Sequence, residues 1–186
     1  MTKQVAFESE RLRFRRWSEA DKLPFAQMNA DDEVMKYFPN KLTRAASDAF
    51  IGRIEKHFEE FGYGLWAVEV KETGVFIGYI GFYQATFEAD FTPCIEIGWR
   101  LSRESWNEGY ATEGAKACLD YGFKELKFSE VYSFTSVINI KSINVMKKIG
   151  LEKVGEFNHP RLEQGNPLRA HVVYKLEKEK YLSLIE

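Results

Sequence analysis

The chain has 186 residues, enough for one domain over 1–186 with a sizeable core at about 7–176, and 15% of its residues are aromatic. A formal net charge of −2 argues against a nucleic-acid-binding surface, and the spacing of the two cysteines, Cys94 and Cys118, argues against a zinc site or a disulfide scaffold. Because no membrane span and no signal-peptide pattern are apparent, we expect a cytoplasmic protein without a metal or a membrane partner.

The chain begins with one strand pattern and two helix patterns. Residues 10–17 alternate apolar and charged side chains, which predicts a strand. Ser18 and Asp21 have the spacing of a capping box, so a helix is expected to follow as far as about Ala30. Residues 43–61 repeat apolar side chains at steps of three and four, which predicts a second helix.

Three strand patterns and a helix come next. Residues 64–70 and 75–82 predict two strands joined by a hairpin turn at 71–74, and the second is apolar enough to be covered on both faces. Residues 94–101 predict the next strand. Residues 109–126 predict an amphipathic helix, because their apolar side chains share one helical face.

The last third of the chain alternates strand, helix and strand. Residues 131–137 predict a strand and 141–149 a short helix that Gly150 ends. Residues 151–157 and 168–176 predict a closing pair of strands, and the run from 175 to 180 is expected to be a solvated terminal segment. The order of elements predicts a mixed α/β fold whose sheet begins antiparallel and continues through helical crossovers.

A turn of small residues joins the strand ending at Leu101 to the helix beginning near Gly109. The turn contains Trp106 to Thr112, and Gly109 and Ala111 remove side-chain bulk there. The first amides of a helix have no partner within the helix, and the helix dipole is positive at this end. The turn therefore suits a phosphate group, although a plain helix start is the alternative.

A second polar pair follows the next predicted strand. Asn139 lies where that strand ends and a helix begins, and Ser142 comes three residues later on the same side. A helix cap is the alternative use of Asn139. Together with the preceding turn, the pair indicates a ligand slot between neighbouring strands.

These motifs resemble the GNAT superfamily of acetyl-CoA-dependent N-acetyltransferases, and especially its Rim-type branch of ribosomal-protein N-terminal acetyltransferases. The resemblance rests on the order of Glu96–Leu101, Gly109–Glu113, Asn139–Ser142 and Lys148–Leu151. It covers about residues 7–176. It implies a mostly antiparallel central sheet flanked by helices, with a splayed pair of parallel strands that admits the pantetheine arm of acetyl-CoA.

The same resemblance implies which residues bind acetyl-CoA. Trp106 stands where many members have Gln or Arg, as is usual in the Rim-type branch, and Asn107 stands where Gly is frequent. Met146 stands where many members have a tyrosine that protonates the leaving thiolate, so Ser142, or a water that it holds, is the candidate acid. The residues implied for acetyl-CoA are Trp99, Arg100, Leu101, Trp106, Asn107, Glu108, Gly109, Tyr110, Ala111, Thr112, Asn139 and Ser142.

Glu96 is the candidate general base, because burial inside an apolar strand would raise its pKa toward neutrality. The alternative is a structural carboxylate paired with an arginine such as Arg100. One base favours an acceptor of low pKa, such as an α-amine. His57 is expected to pack, His159 to contact the acceptor and His171 to face solvent.

The predicted function is transfer of an acetyl group from acetyl-CoA to a primary amine, a protein N-terminal α-amine or a small amine, by direct attack in a ternary complex. One alternative is a non-catalytic acyl-CoA sensor. Another is a polyamine- or antibiotic-modifying acetyltransferase, for which the acids available are Glu59, Glu60, Glu88 and Asp90. The protein is expected to be a monomer or a homodimer. Four aromatic side chains are candidates for the acceptor wall, with the core as the alternative: Phe38, Trp66, Phe82 and Tyr83.

Overall fold

The computed structural model describes residues 4–185, which form two compact units. The first unit comprises residues 4–83 together with Gly98–Cys118, and the second comprises Gln84–Ile97 together with residues 119–185. Within residues 4–185, none of the helices is both long enough and apolar enough to cross a lipid bilayer.

The described residues contain strands β1 to β8 and helices α1 to α5. The strands are β1 (Val5–Glu8), β2 (Leu12–Arg15), β3 (Leu65–Val70), β4 (Phe76–Ala85), β5 (Cys94–Leu101), β6 (Glu130–Ser136), β7 (Glu152–Asn158) and β8 (Ala170–Glu177). The helices are α1 (Lys22–Ala30), α2 (Arg44–Phe61), α3 (Tyr110–Lys124), α4 (Ile140–Lys148) and α5 (Lys178–Ile185).

The strands form a mostly antiparallel sheet in the order β1-β2-β3-β4-β5-β6-β8-β7, with β5 and β6 parallel. Helices flank the sheet, which confirms the predicted fold class. The strand predicted at 94–101 is confirmed with the same bounds as β5. β4 is buried along most of its length, which confirms that it is covered on both faces.

In the first unit, helices cover opposite faces of the sheet. Adjacent side chains of a strand point to opposite faces, and Tyr79 and Ile80 do so on β4. The ring of Phe25 in α1 lies 6.1 Å from that of Tyr79, while α3 approaches Ile80 at Gly114. A Cβ atom on Gly114 would lie 2.3 Å from Cδ1 of Ile80, so this glycine permits the close approach.

Local signals place the ends of the helices in the first unit. The Asp21 carboxylate accepts a hydrogen bond from the backbone N–H of Ser18 at 2.8 Å, which confirms the predicted capping box. A short 3₁₀ turn follows before α1 begins. Thr43 caps α2 by accepting from the backbone N–H of Ala46 at 3.2 Å, and Gly62 ends α2 in the left-handed region.

In the second unit, β5 pairs with β6, β6 with β8 and β8 with β7. The β5–β6 ladder has Glu96 opposite Tyr132, and the β7–β8 ladder has Phe157 opposite His171. These two ladders bring the side chains described in the next subsection onto strands of one unit.

The sequence did not indicate β1 or α5. The expectation of a solvated terminal segment at 175–180 is wrong, because β8 continues to Glu177 and α5 follows it. Tyr181 of α5 is buried, stacks on Phe123 at 4.9 Å and donates its hydroxyl hydrogen to Asp120. Tertiary packing of this one ring therefore explains why the charged segment is ordered as a helix.

Candidate active site

The turn between β5 and α3 has the backbone geometry of an anion-binding site. Asn107 and Gly109 both lie in the left-handed region, with φ of 65° and 81°. The N–H groups of residues 107–112 donate to no acceptor within residues 4–185. Consecutive free amides at a helix N-terminus fit a phosphate or diphosphate group.

The first unit anchors this turn through Arg11 and Glu113. The Arg11 guanidinium donates from Nη2 to the carbonyl of Glu108 at 2.9 Å and from Nε to Glu113 Oε2 at 2.7 Å. It also lies 4.5 Å from the centroid of the Tyr110 ring. Burial acts to raise the pKa of Glu113, but hydrogen bonds from Ser9 and Arg11 lower it below its usual range. Sequence reasoning missed Arg11, because it is a single charged residue remote in sequence from the turn.

Trp106 fixes the beginning of the turn. Its indole Nε1–H donates to the carbonyl of Leu101 at 3.0 Å, so that carbonyl is occupied by a protein donor. The carbonyl of Arg100 lies against Gly78, where a Cβ atom would come within 2.1 Å of it. Trp99 is half-buried at the same end of β5.

The Arg100 side chain is buried in the first unit and is only 8% exposed. Its Nη1 donates to Oδ1 of Asn29 at 2.6 Å, and its guanidinium lies 3.9 Å from the centroid of the Phe38 ring and 5.5 Å from that of Tyr79. Nε is buried and has no hydrogen-bond partner within the described residues. Burial lowers the pKa of this guanidinium. The side chain thus joins α1 to Phe38, one of the predicted acceptor residues.

The other predicted acceptor residues divide between the core and a partly exposed position. Trp66 is 2% exposed and Phe82 is 0% exposed, and their rings lie 6.0 Å apart in the core of the first unit. They therefore do not face an acceptor. Tyr83 is half-buried and stacks on His57 at 4.3 Å.

His57 has the packing role that the sequence predicts. It is buried, and its Nδ1 lies 2.8 Å from the carbonyl oxygen of Tyr63. Burial lowers its pKa, so the ring is neutral at pH 7.

In the second unit, Glu96 is a carboxylate without a counter-ion. It makes no hydrogen bond or ion pair with another residue in 4–185, so the alternative of a structural ion pair is not supported. Its side chain keeps some contact with solvent, yet the surrounding protein raises the pKa of Glu96 to about 8 by burial. A carboxyl group that titrates near neutrality is suited to general base catalysis.

Asn139 caps α4 and also contacts Ser142. Its Oδ1 accepts from the backbone N–H of Ser142 at 3.3 Å, which confirms the cap. Its Nδ2 donates to Oγ1 of Thr135 at 3.0 Å and to Oγ of Ser142 at 3.1 Å. Because Ser142 accepts this hydrogen bond, its own hydroxyl hydrogen is free to be donated elsewhere. Met146 is buried on the same helix.

Partly exposed aromatic and histidine rings cluster in the second unit. His171, which was expected to face solvent, is only partly exposed, and its ring lies 5.4 Å from that of Phe157. Burial, then the neighbouring His171 and Arg161, lower the pKa of His159 to about 4. We call this cluster the aromatic face. Its members are Phe87, Phe91, Tyr132, Phe134, Phe157, His159 and His171.

Neither a thiol nor a metal cluster adds reactive groups to the described residues. Cys94 and Cys118 are both free and buried. Burial raises the pKa of Cys94 to about 12 and raises that of Cys118 well above its usual value, so neither is a thiolate at neutral pH. Within residues 4–185, no group of three or more His, Cys, Asp or Glu side chains is arranged to hold a metal ion.

Comparison with known proteins identifies relatives across most of the chain. The model of the family described as "Acetyltransferase (GNAT) domain" matches residues 11–152. The uncharacterized N-acetyltransferase YnaD of Bacillus subtilis is 31% identical over 175 residues, which is 93% of this chain and 97% of YnaD.

Solved structures agree with this similarity. A GNAT-family acetyltransferase from Bacillus anthracis has a TM-score of 0.77 and 28% identity, over 92% of this chain and 98% of its own. Spermidine N-acetyltransferase from Vibrio cholerae, solved with CoA and spermine, has a TM-score of 0.74 and 19% identity, over 92% of this chain and 98% of its own. At that identity the second similarity concerns the fold alone.

Proposed function

Because the chain belongs to the GNAT family of acetyl-CoA-dependent acetyltransferases, we propose that it acetylates a primary amine by direct attack in a ternary complex. The acceptor is a protein N-terminal α-amine, as in the Rim-type branch, or a small amine. The observation that carries this proposal is Glu96, an unpaired carboxylate with a pKa of about 8.

Glu96 takes the proton that the amine must lose. An alkylammonium ion is unreactive until it is deprotonated, and a base is most effective when its pKa is close to the working pH. Above about pH 8 the Glu96 carboxylate is ionised and can accept this proton, directly or through a water molecule.

The turn at Trp106–Thr112 is proposed to dock the diphosphate of acetyl-CoA. The free amides of residues 107–112 and the left-handed conformation at Gly109 fit that group. Acetyl-CoA, when bound, supplies the activated acetyl thioester. Backbone groups of Trp99 and Arg100 are proposed to bind the pantetheine arm. Leu101 keeps the same proposed role, because its carbonyl accepts one hydrogen bond from Trp106 and has a second lone pair.

Ser142 is proposed to donate a proton to the departing thiolate. Asn139 donates a hydrogen bond to the Ser142 oxygen, which leaves the serine hydrogen available and fixes the position of the hydroxyl. Asn139 is a positioning residue, since it acts through Ser142. Met146 has no proton to donate.

A polyamine acceptor is the second candidate, since the fold is shared with a spermidine acetyltransferase. A polyamine carries several ammonium groups and requires several carboxylates to bind them. The four acids considered for this role, Glu59, Glu60, Glu88 and Asp90, are all exposed. As exposed carboxylates they are available to an ammonium group, so the choice between a monoamine and a polyamine is left to the assay.

A thiol-release assay with acetyl-CoA and a panel of N-terminal peptides, monoamines and polyamines tests the proposal. We expect turnover with at least one monoamine or peptide, and we expect Glu96→Gln to lower it at least about 100-fold. Glu156→Gln is the matched control, because Glu156 is an exposed carboxylate of the same unit. Tight binding of acetyl-CoA with no thiol release from any amine would instead identify a sensor.

A further inference from the structure

The aromatic face lies beside Glu96 in the second unit. We propose that the acceptor carries an aromatic or bulky apolar group, which packs on the aromatic face while its amine reaches Glu96. This inference rests on the proposed function and names the substrate class of the same site.

The register of the sheet places Glu96 and the aromatic face on one side. Residues opposite each other on paired strands project to the same face, so Glu96 and Tyr132 do so. Phe134 follows two residues after Tyr132 and shares that face. Val131 and Ser133 point the other way and are buried, and the Ser133 hydroxyl donates to the carbonyl of Ile97.

The rings of the aromatic face form a contiguous surface around Phe157. Its ring lies 4.9 Å from Phe91, 5.9 Å from Phe87 and 5.9 Å from Phe134. Phe91 in turn stacks on Tyr132 at 5.9 Å, which links the cluster to the strand pair that holds Glu96. Every ring in the aromatic face is only half-buried. A contiguous apolar patch of this kind marks a place where a ligand or partner is bound.

The charges around the aromatic face favour an apolar body over a polycation. Burial lowers the pKa of both histidines of the face, so both rings are neutral at pH 7. Lys175 lies 5.6 Å from the Tyr132 ring, and its ammonium pairs with Glu130 at 2.7 Å and Glu177 at 2.8 Å. These two acids are therefore already engaged. Glu96 projects beside the rings without a counter-ion within residues 4–185, whereas Glu88 and Asp90, which flank Phe87 and Phe91 in the loop, are exposed to solvent.

Three amines with the same four-carbon chain separate the possibilities: n-butylamine, 4-phenylbutylamine and butane-1,4-diamine. The phenyl ring is far enough from nitrogen to leave the acidity of the ammonium group unchanged. We expect kcat/KM for 4-phenylbutylamine to exceed that for n-butylamine by at least about tenfold, since a buried phenyl ring contributes that much to binding. We expect the diamine to be the poorest of the three acceptors.

Two variants test whether the aromatic face causes the preference. Phe157→Leu and Phe91→Leu each remove one ring but keep an apolar side chain. Phe157 lies in β7, and Phe91 lies in the loop between β4 and β5. We expect each to reduce the ratio of phenylbutylamine to butylamine activity by about fivefold or more. Phe61→Leu is the control, because Phe61 is a partly exposed ring of α2 in the first unit.

Saturation-transfer-difference NMR with 4-phenylbutylamine gives a readout that does not depend on turnover. Binding that is lost in Phe157→Leu supports the inference even if no amine releases thiol, an outcome that would count against the proposed function alone. Turnover of all three amines without a preference for the ring, or a preference that survives both variants, would overturn the inference. The inference would also be overturned if light scattering showed that Phe157→Leu breaks a dimer while the amine preference stays unchanged, because the aromatic face would then join two copies of the chain.

Discussion

Replacing Glu96 by Gln removes the carboxylate whose pKa the fold raises from 4.5 to about 8. A carboxyl group with a raised folded-state pKa holds its proton more tightly in the folded protein. Its favourable contribution to stability is complete below about pH 4.5 and is lost as the pH rises through 8. The wild type therefore loses stability over this interval relative to Glu96→Gln, which has no ionisable group there.

The size of the effect follows from the pKa difference. A shift of 3.5 units, from 4.5 to about 8, corresponds to ~5 kcal/mol at 1.36 kcal/mol per unit. The same shift sets the change in relative stability, so we expect about 5 kcal/mol across this pH interval. Urea unfolding at pH 4.5, 6, 7.5 and 9 measures the difference in unfolding free energy between Glu96→Gln and the wild type.

The difference should grow by about 5 kcal/mol in favour of Glu96→Gln between pH 4.5 and 9. Glu156→Gln is the control, because it removes an exposed carboxylate of the same unit. In the same pH series, log kcat/KM of the wild type should bend near pH 8, and the bend should be absent in Glu96→Gln. A stability difference that does not change with pH would refute the reasoning, since Glu96 would then not be desolvated.

Three further substitutions test other parts of the structure. Gly114→Val should lower the urea-unfolding free energy by about 2 kcal/mol or more, because a Cβ atom would already lie 2.3 Å from Ile80. Asn29→Ala should lower the unfolding free energy by about 3 kcal/mol, because it removes the hydrogen-bond acceptor of the buried Arg100. Asn29→Asp should not lower the unfolding free energy, because it keeps an acceptor and supplies a counter-charge. Thermal unfolding of the two variants makes this comparison. Ser142→Ala should lower kcat by about 100-fold with little change in KM for acetyl-CoA, as measured by steady-state kinetics. The loss of kcat should be smaller with an acetyl thioester of a more acidic thiol, because that thiolate departs without needing a proton from Ser142.

Features that depend on a local pattern could be predicted from the sequence. The eight residues of β5 were predicted with their observed bounds, because apolar residues fill the strand and a turn follows it. The capping box at Ser18 was predicted for the same reason, and the cap at Asn139 was the alternative to a ligand contact. Each is a contact between residues three positions apart.

Features that depend on distant contacts could not be predicted. Arg11 anchors the turn by a hydrogen bond to Glu113, 102 positions away, and no local pattern marks such a pair. The aromatic face draws on segments from Phe87 to His171, so only the register of the sheet brings its rings together. Trp66 and Phe82 were candidates for the acceptor wall but are buried in the core. The sequence of a strand does not distinguish an aromatic residue that lines a pocket from one that fills the core.

The pKa of Glu96 also bears on the choice of acceptor. Transfer of a proton from an α-ammonium group, with a pKa near ~8, to a carboxylate of pKa about 8 costs almost nothing. Transfer from a lysine ammonium, with a pKa near ~10.4, costs roughly 3 kcal/mol more. A base with the ordinary carboxyl pKa would add about 5 kcal/mol to both costs. The burial that destabilises ionised Glu96 therefore makes proton transfer from an α-amine nearly thermoneutral, so apolar α-amines are the acceptors that this site should use best.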